Sequence, residues 1–186
     1  VLKVCSTLIS LKLCLTKDEL DSLLAASLLH DVIEDCKEHF PDGGNELTTR
    51  YGFSPDVYLI VKSVSKLSGL NEEQLNEYFN DIKRNKLSLL IKLADRSHNV
   101  EDLYNMKPEK LHKYVTETRT GIYSLANYGK SYYPELSNGL NILKSKIVSL
   151  TECTETVVEL YETELIKKDK EIEELKLKLE ANKGGS

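Results

Sequence analysis

Leu23-Leu24-Ala25-Ala26-Ser27-Leu28-Leu29-His30-Asp31-Val32-Ile33-Glu34-Asp35 is apolar through Leu29 and turns polar at His30. Its length and apolar content predict a helix, running from Asp18 to about Cys36. On a helix, His30 and Glu34 lie along one strip of surface, and so do Asp31 and Asp35. An imidazole beside a carboxylate suits one metal ion, which leaves the acids of the next turn to handle water and protons. A plainer reading is an amphipathic helix with solvated acids and a hydrogen-bonded boundary histidine.

A second segment shifts that balance. Leu89-Leu90-Ile91-Lys92-Leu93-Ala94-Asp95-Arg96-Ser97-His98-Asn99 is again apolar with a polar end, and Asp95 and Asn99 share a face. An acid at the end of a buried apolar helix needs a partner, and a metal ion is a natural one.

Outward from these two segments, nearly the whole chain reads as helix. Leu2, Cys5, Leu8, Ile9 and Leu13 fall at helical spacing. Thr16-Lys17-Asp18-Glu19 is a capping box at the start of the histidine-bearing helix. Pro41-Asp42-Gly43-Gly44 makes Lys37 to Asn45 a loop. A short helix over Glu46–Tyr51 follows, and Ser54 caps the next, with Pro55 at its first position, running to about Leu67. Further helices are expected from Asn71 to about Arg84, from Lys86 to Asn105, and from Pro108 to about Tyr128. No alternating strand pattern and no internal repeat stands out.

After Gly129 the composition changes. Pro134 to Leu150 reads as one more helix, a packing connector over residues 130–153. From Thr154, Val158, Leu165, Ile172 and Leu179 recur every seven residues, with Tyr161 and Leu175 between them and Lys168 interrupting. So charged a helix is marginal alone, which favours self-association through a coiled coil over residues 154–186, ending in a flexible Gly184-Gly185-Ser186 tail. The expected architecture is an all-α helical bundle with a long C-terminal helix.

The net charge of −5 without a basic block argues against nucleic acid or an anionic membrane as partner. It leaves room for a small anionic ligand, since a metal and a few lysines dominate a single pocket. Cys5, Cys14, Cys36 and Cys153 are widely spaced and make no C-x-x-C pair, which disfavours structural zinc. With no signal peptide or long apolar run, the sequence is read as cytoplasmic.

"LLHDVIEDC" followed by "LIKLADRSHNVEDL" resembles the HD-type hydrolase domain of the RelA/SpoT family, enzymes that degrade the alarmone (p)ppGpp. The intervening "SVSKLSGL" and the later "KPEKLHKYVTETRTGIYSLA" fit the same family, so the resemblance spans Val1 to about Tyr128, with a hydrolase domain over residues 1–129. It implies one divalent ion, usually Mn2+, held by two histidines and two aspartates. His30, Asp31 and Asp95 match three of these ligands. Glu34 and Asp35 match the acidic pair that orients water and moves protons, and Asn99 the asparagine near the substrate's sugar and phosphates. Lys66 and Lys92 are candidates for holding phosphate, alongside the ordinary role of an exposed or snorkelling lysine. Arg96 is expected to brace the acids and His98 to be structural.

The family's remaining ligand is a histidine upstream of the HD pair, yet no histidine precedes His30. Its expected place is at or just before the position preceding Val1, so the chain reads as truncated, with weakened metal binding and activity. Smaller departures are Cys36 in place of threonine, and Ser97 and Val100 in place of larger apolar residues. The implied reaction is hydrolysis of the 3′-diphosphate of ppGpp or pppGpp to GDP or GTP and pyrophosphate, with a guanine nucleotide as substrate. The alternatives are an HD phosphohydrolase acting on other nucleotides and a catalytically degenerate HD interaction module. The synthetase half of long family members is not recognisable after Tyr128.

Overall fold

The computed structural model describes residues 1–66 and 69–183. Among them every element is helical. The α-helices in order are α1 (Leu2–Ser10), α2 (Lys17–Leu29), α3 (Val32–Asp35), α4 (Glu46–Thr49), α5 (Pro55–Val64), α6 (Glu72–Lys83), α7 (Lys86–Asn99), α8 (Pro108–Glu117), α9 (Tyr123–Tyr132) and α10 (Ser137–Lys183). The start signals act as their chemistry requires. The Thr16 hydroxyl accepts the Glu19 amide while Glu19 returns to the Thr16 amide, Ser54 caps α5, and Asn71 forms a second capping box with Gln74.

Helix α7 is the axis of the bundle, packed by α1, α2, α5, α6, α9 and α10. Leu89, Leu90, Ile91, Leu93 and Ala94 are fully buried, which is why the centre of this helix is apolar but for Lys92. An axis enclosed on every side gives Asp95, one residue past that centre, a rigid base.

Several boundaries differ from the expected ones. The helix expected over Asp18 to Cys36 breaks at His30 and Asp31, where α2 stops and α3 starts again. Asp31 sits at φ −97° and ψ −8°, and its carbonyl accepts the amides of both Glu34 and Asp35. The helix expected to reach Asn105 ends at Asn99 and tightens into a 3₁₀ turn over Val100–Asn105. Val100 and Leu103 are both buried there, and their i,i+3 spacing mimics a continuing helix.

The helix expected over Pro108 to Tyr128 is interrupted by a widened π turn at Thr118–Ile122 and then passes through Gly129 to Tyr132. Gly129 is a site of close approach: a Cβ there would stand 2.9 Å from Leu140 and 3.1 Å from Leu89. The two helices expected beyond Pro134 are one. After a 3₁₀ turn at Pro134–Leu136, α10 runs unbroken through Leu150 and Thr154. Leu140, Leu143 and Ile147 belong to the same buried core as α7. The helix expected to run from Ser54 to about Leu67 stops earlier, at Val64, where Ser65 turns extended, and the expected Gly184–Ser186 tail lies outside the described residues.

Candidate metal and active site

His30 stands where α2 gives way to α3, with its side chain only 5% exposed. Its Nδ1 lies 2.8 Å from the Ser27 carbonyl, an acceptor only, so Nδ1 carries the hydrogen. Nε2 points the other way, 3.0 Å from Asp31 Oδ2 and 3.7 Å from Asp95 Oδ1. Burial opposes charging the ring, but the two carboxylates outweigh it and raise the His30 pKa to about 9. Asp95 shows the complement: burial pushes its pKa up, while His30 and Lys92 pull it below the usual carboxylate range.

One imidazole nitrogen and two carboxylate oxygens form a donor set suited to a divalent ion. Donors at right angles on bonds of about 2.1 Å stand about 3 Å apart, close to the His30–Asp31 separation. A histidine whose far nitrogen is fixed to a backbone carbonyl is oriented as metal-binding histidines are. Among the described residues, however, no three His, Cys, Asp or Glu side chains are gathered into a closed cage.

The other expected residues fall around this centre. The Asn99 side-chain amide donates to Asp95 Oδ1 at 2.9 Å. Lys92 is largely buried, with Nζ 3.5 Å from Asp95 Oδ2 and 5.6 Å above the Tyr78 ring. Burial lowers the Lys92 pKa, but Tyr78 and Asp95 raise it above the ordinary lysine value, so the ammonium stays charged. Its surroundings are those of a brace for Asp95.

Glu34 and Asp35 come off the short helix α3 one turn away. Burial raises the Glu34 pKa, opposed by the Lys66 amide, which donates to its Oε1 at 2.5 Å. Asp35 is exposed. Both acids line a cavity of about 430 Å³ shared with Lys37, Lys66, Lys113 and Glu117. A larger cavity, about 610 Å³, lies between α6 and α8, away from His30, and meets the first at Leu75, Lys113 and Glu117.

Lys66 is present at the acids, but its ammonium binds Glu117 Oε2 at 2.5 Å. Sequence reasoning missed Glu117, which also takes Arg96 Nη2 at 2.6 Å. Nothing local marks it, because its partners lie 51 and 21 residues away. Arg96 thus braces an acid, though one outside the expected cluster. His98 is tied to the Thr7 hydroxyl at 2.7 Å, joining α7 to α1.

Three similarities to known proteins bear on this arrangement. The chain is 34% identical over 100 residues to the guanosine-3′,5′-bis(diphosphate) 3′-pyrophosphohydrolase MESH1 of Drosophila melanogaster, covering 53% of this chain and 51% of that protein. It is 39% identical over 101 residues to the guanosine-3′,5′-bis(diphosphate) 3′-pyrophosphohydrolase of Haemophilus influenzae, covering 50% of this chain and 14% of that one. It is 34% identical over 103 residues to the bifunctional (p)ppGpp synthase/hydrolase SpoT of Escherichia coli, covering 51% and 14% respectively. The chain therefore spans about half the length of the first relative and a small part of the two bacterial ones. No solved structure matches it. Residues 1–128, which carry every side chain of the site, match the HD domain family, and the chain belongs to that family.

Proposed function

We propose that the chain carries a metal-dependent (p)ppGpp 3′-pyrophosphohydrolase site, releasing pyrophosphate from ppGpp or pppGpp and leaving GDP or GTP. The observation that carries this reading is the meeting of Asp31 and Asp95 at the Nε2 of His30, with Glu34 and Asp35 one turn away. The names of the similar proteins supply the substrate class, a guanosine polyphosphate.

His30, Asp31 and Asp95 would hold one divalent ion, with Mn2+ the expected metal. When bound, such an ion acidifies water and polarises a phosphate. Asn99 and Lys92 hold the Asp95 carboxylate in place. Glu34, whose pKa is raised by burial, is the acid suited to holding and moving a proton at its carboxyl group. Exposed Asp35 orients water at the mouth of the cavity. Lys113 supplies positive charge along that cavity, whereas the Lys66 ammonium there is taken up by Glu117.

Residues 1–129 form the hydrolase domain, 130–153 the packing connector and 154–186 a self-associating helix. A second copy of this chain is the occupant of its apolar seam, supported by Leu165, Ile172, Leu175 and Leu179, which are 48–64% exposed. Among the described residues no helix is long and apolar enough to cross a membrane. A reducing cytoplasmic setting is in keeping with four free cysteines.

The test is Mn2+-dependent release of pyrophosphate from ppGpp by the full-length protein, with chelated protein and a panel of other nucleotides alongside. Metal-bound protein that leaves ppGpp intact would sink the assignment. Faster turnover of a nucleoside monophosphate would move the protein to a different HD phosphohydrolase class.

A further inference from the structure

Glu117 is the last residue of α8, and its two oxygens take cations from two different elements. Oε2 binds Lys66 Nζ at 2.5 Å from the segment after α5, and Oε1 binds Arg96 Nη2 at 2.6 Å from α7. The Arg96 side chain is 5% exposed, lies 4.1 Å from the centre of the Tyr114 ring, and donates from Nη1 to the Thr118 hydroxyl at 3.1 Å. One end of the carboxylate is therefore fixed to the buried axis of the bundle.

Successive residues of a regular helix point about 100° apart. Here Glu117 and Thr118 reach the same guanidinium, and the π turn begins between them. Widened turns of this kind occur often at functional sites.

The other end leads to the acids. Lys66 lies just past α5, in backbone that has already turned extended at Ser65. Its ammonium is held by Glu117 and its amide donates to Glu34 Oε1 at 2.5 Å. The amide that fixes the Glu34 carboxylate is thus held through its own side chain by an acid on α8. Burial pushes the Glu117 pKa up, but the two cations hold it below the usual carboxylate range, so the link is a charged one.

We propose that Glu117 is a positioning residue for the reaction: through Lys66 it holds the backbone amide that orients the Glu34 carboxylate. The proposal rests on the reading of Glu34 given above, and its structural half is testable without turnover. Lys66 is a strut between two acids in this arrangement, and Lys37 and Lys113 also line the cavity.

The experiment compares the full chain with E117Q, E117D and K66M by two measurements. The first is the proton shift of the residue-66 amide in 15N-labelled protein, with E34A as the reference for a lost carboxylate bond. E117Q and K66M are expected to move this amide upfield toward its E34A position, while E117D retains most of the parent shift. The second is pyrophosphate release. E117Q and K66M should each lower kcat by about 100-fold with little change in KM, as a small misplacement of a reacting group does. The double variant should fall no further than either single one.

A residue-66 amide that keeps its parent shift in folded E117Q overturns the proposal. If E117Q does not fold, K66M carries the same test, since it leaves the Glu117–Arg96 pair intact, and an unmoved amide there is equally fatal. Additive losses in the double variant overturn it too. A full chain that releases no pyrophosphate while its residue-66 amide responds as expected would instead remove the reading of the site and leave the strut standing.

Discussion

At His30 the two ring nitrogens do different work. Nδ1–H is committed to the Ser27 carbonyl, while Nε2 faces two carboxylates that raise the ring pKa to about 9. At neutral pH the metal-free ring therefore carries a proton on the nitrogen that would bind a metal. A divalent ion must displace it, so uptake at about pH 7 releases close to one proton per ion, and affinity rises roughly tenfold per pH unit up to about pH 9. The sign follows from the shift: the group is protonated below its folded pKa, and competition for Nε2 ends only above it. Mn2+ titrations in buffers of different ionisation enthalpy count that proton, and a heat independent of buffer would contradict the arrangement. These residues were legible because their types are rare together at such spacing. Glu117 was not, since a glutamate in "VTETRT" looks like any solvated acid until the fold sets Arg96 and Lys66 against it.

At the scale of elements, what could be read was what the chain satisfies locally. The Thr16 capping box and the Ser54 cap are closed within a few residues of sequence and appear where their chemistry places them, and the helix expected from Asn71 starts there on a second box with Gln74. The break at His30 was hidden because apolar periodicity runs straight through it, and what interrupts the helix is the backbone at Asp31. Gly129 misled for the opposite reason, acting as a packing residue inside α9. The π turn has no local signature either. Part of its cause is packing, for Gly121 lies directly against the Phe79 ring of α6, with no room for a Cβ. Gly121→Ala is accordingly expected to destabilise the fold by about 1–3 kcal/mol, the usual cost of overpacking. Phe79→Leu in the same chain should recover part of that loss, because it removes the ring the new methyl meets. Urea unfolding of the single and double variants checks this, and a Gly121→Ala chain as stable as the parent would show that the contact is slack.

For the molecule as a whole, the long helix α10 divides by what it touches. Its early turns supply Leu140, Leu143 and Ile147 to the core, and Val158 still packs against that core. Glu155 pairs with Arg119, and Glu162 approaches His112 at 3.9 Å. Val158, the first position of the heptad seam, is thus occupied by the body of the protein, while Tyr161 is 74% exposed and the exposed seam continues from Leu165, which is 61% exposed. Leu165, Ile172, Leu175 and Leu179 cannot be buried by the rest of the chain, and a charged helix of that length is marginal without a partner. This sharpens where to cut: a chain ending after Thr163 keeps the Arg119–Glu155 pair and the Val158 packing but loses the seam. Its melting temperature should stay within about 2 °C of the parent, since surface changes away from packed features are nearly neutral. Light scattering after size exclusion should show the full chain as a concentration-dependent dimer and the shortened chain as a monomer. A full chain that is monomeric at every concentration would reject self-association, whereas a shortened chain that still dimerises would move the interface onto the helical body.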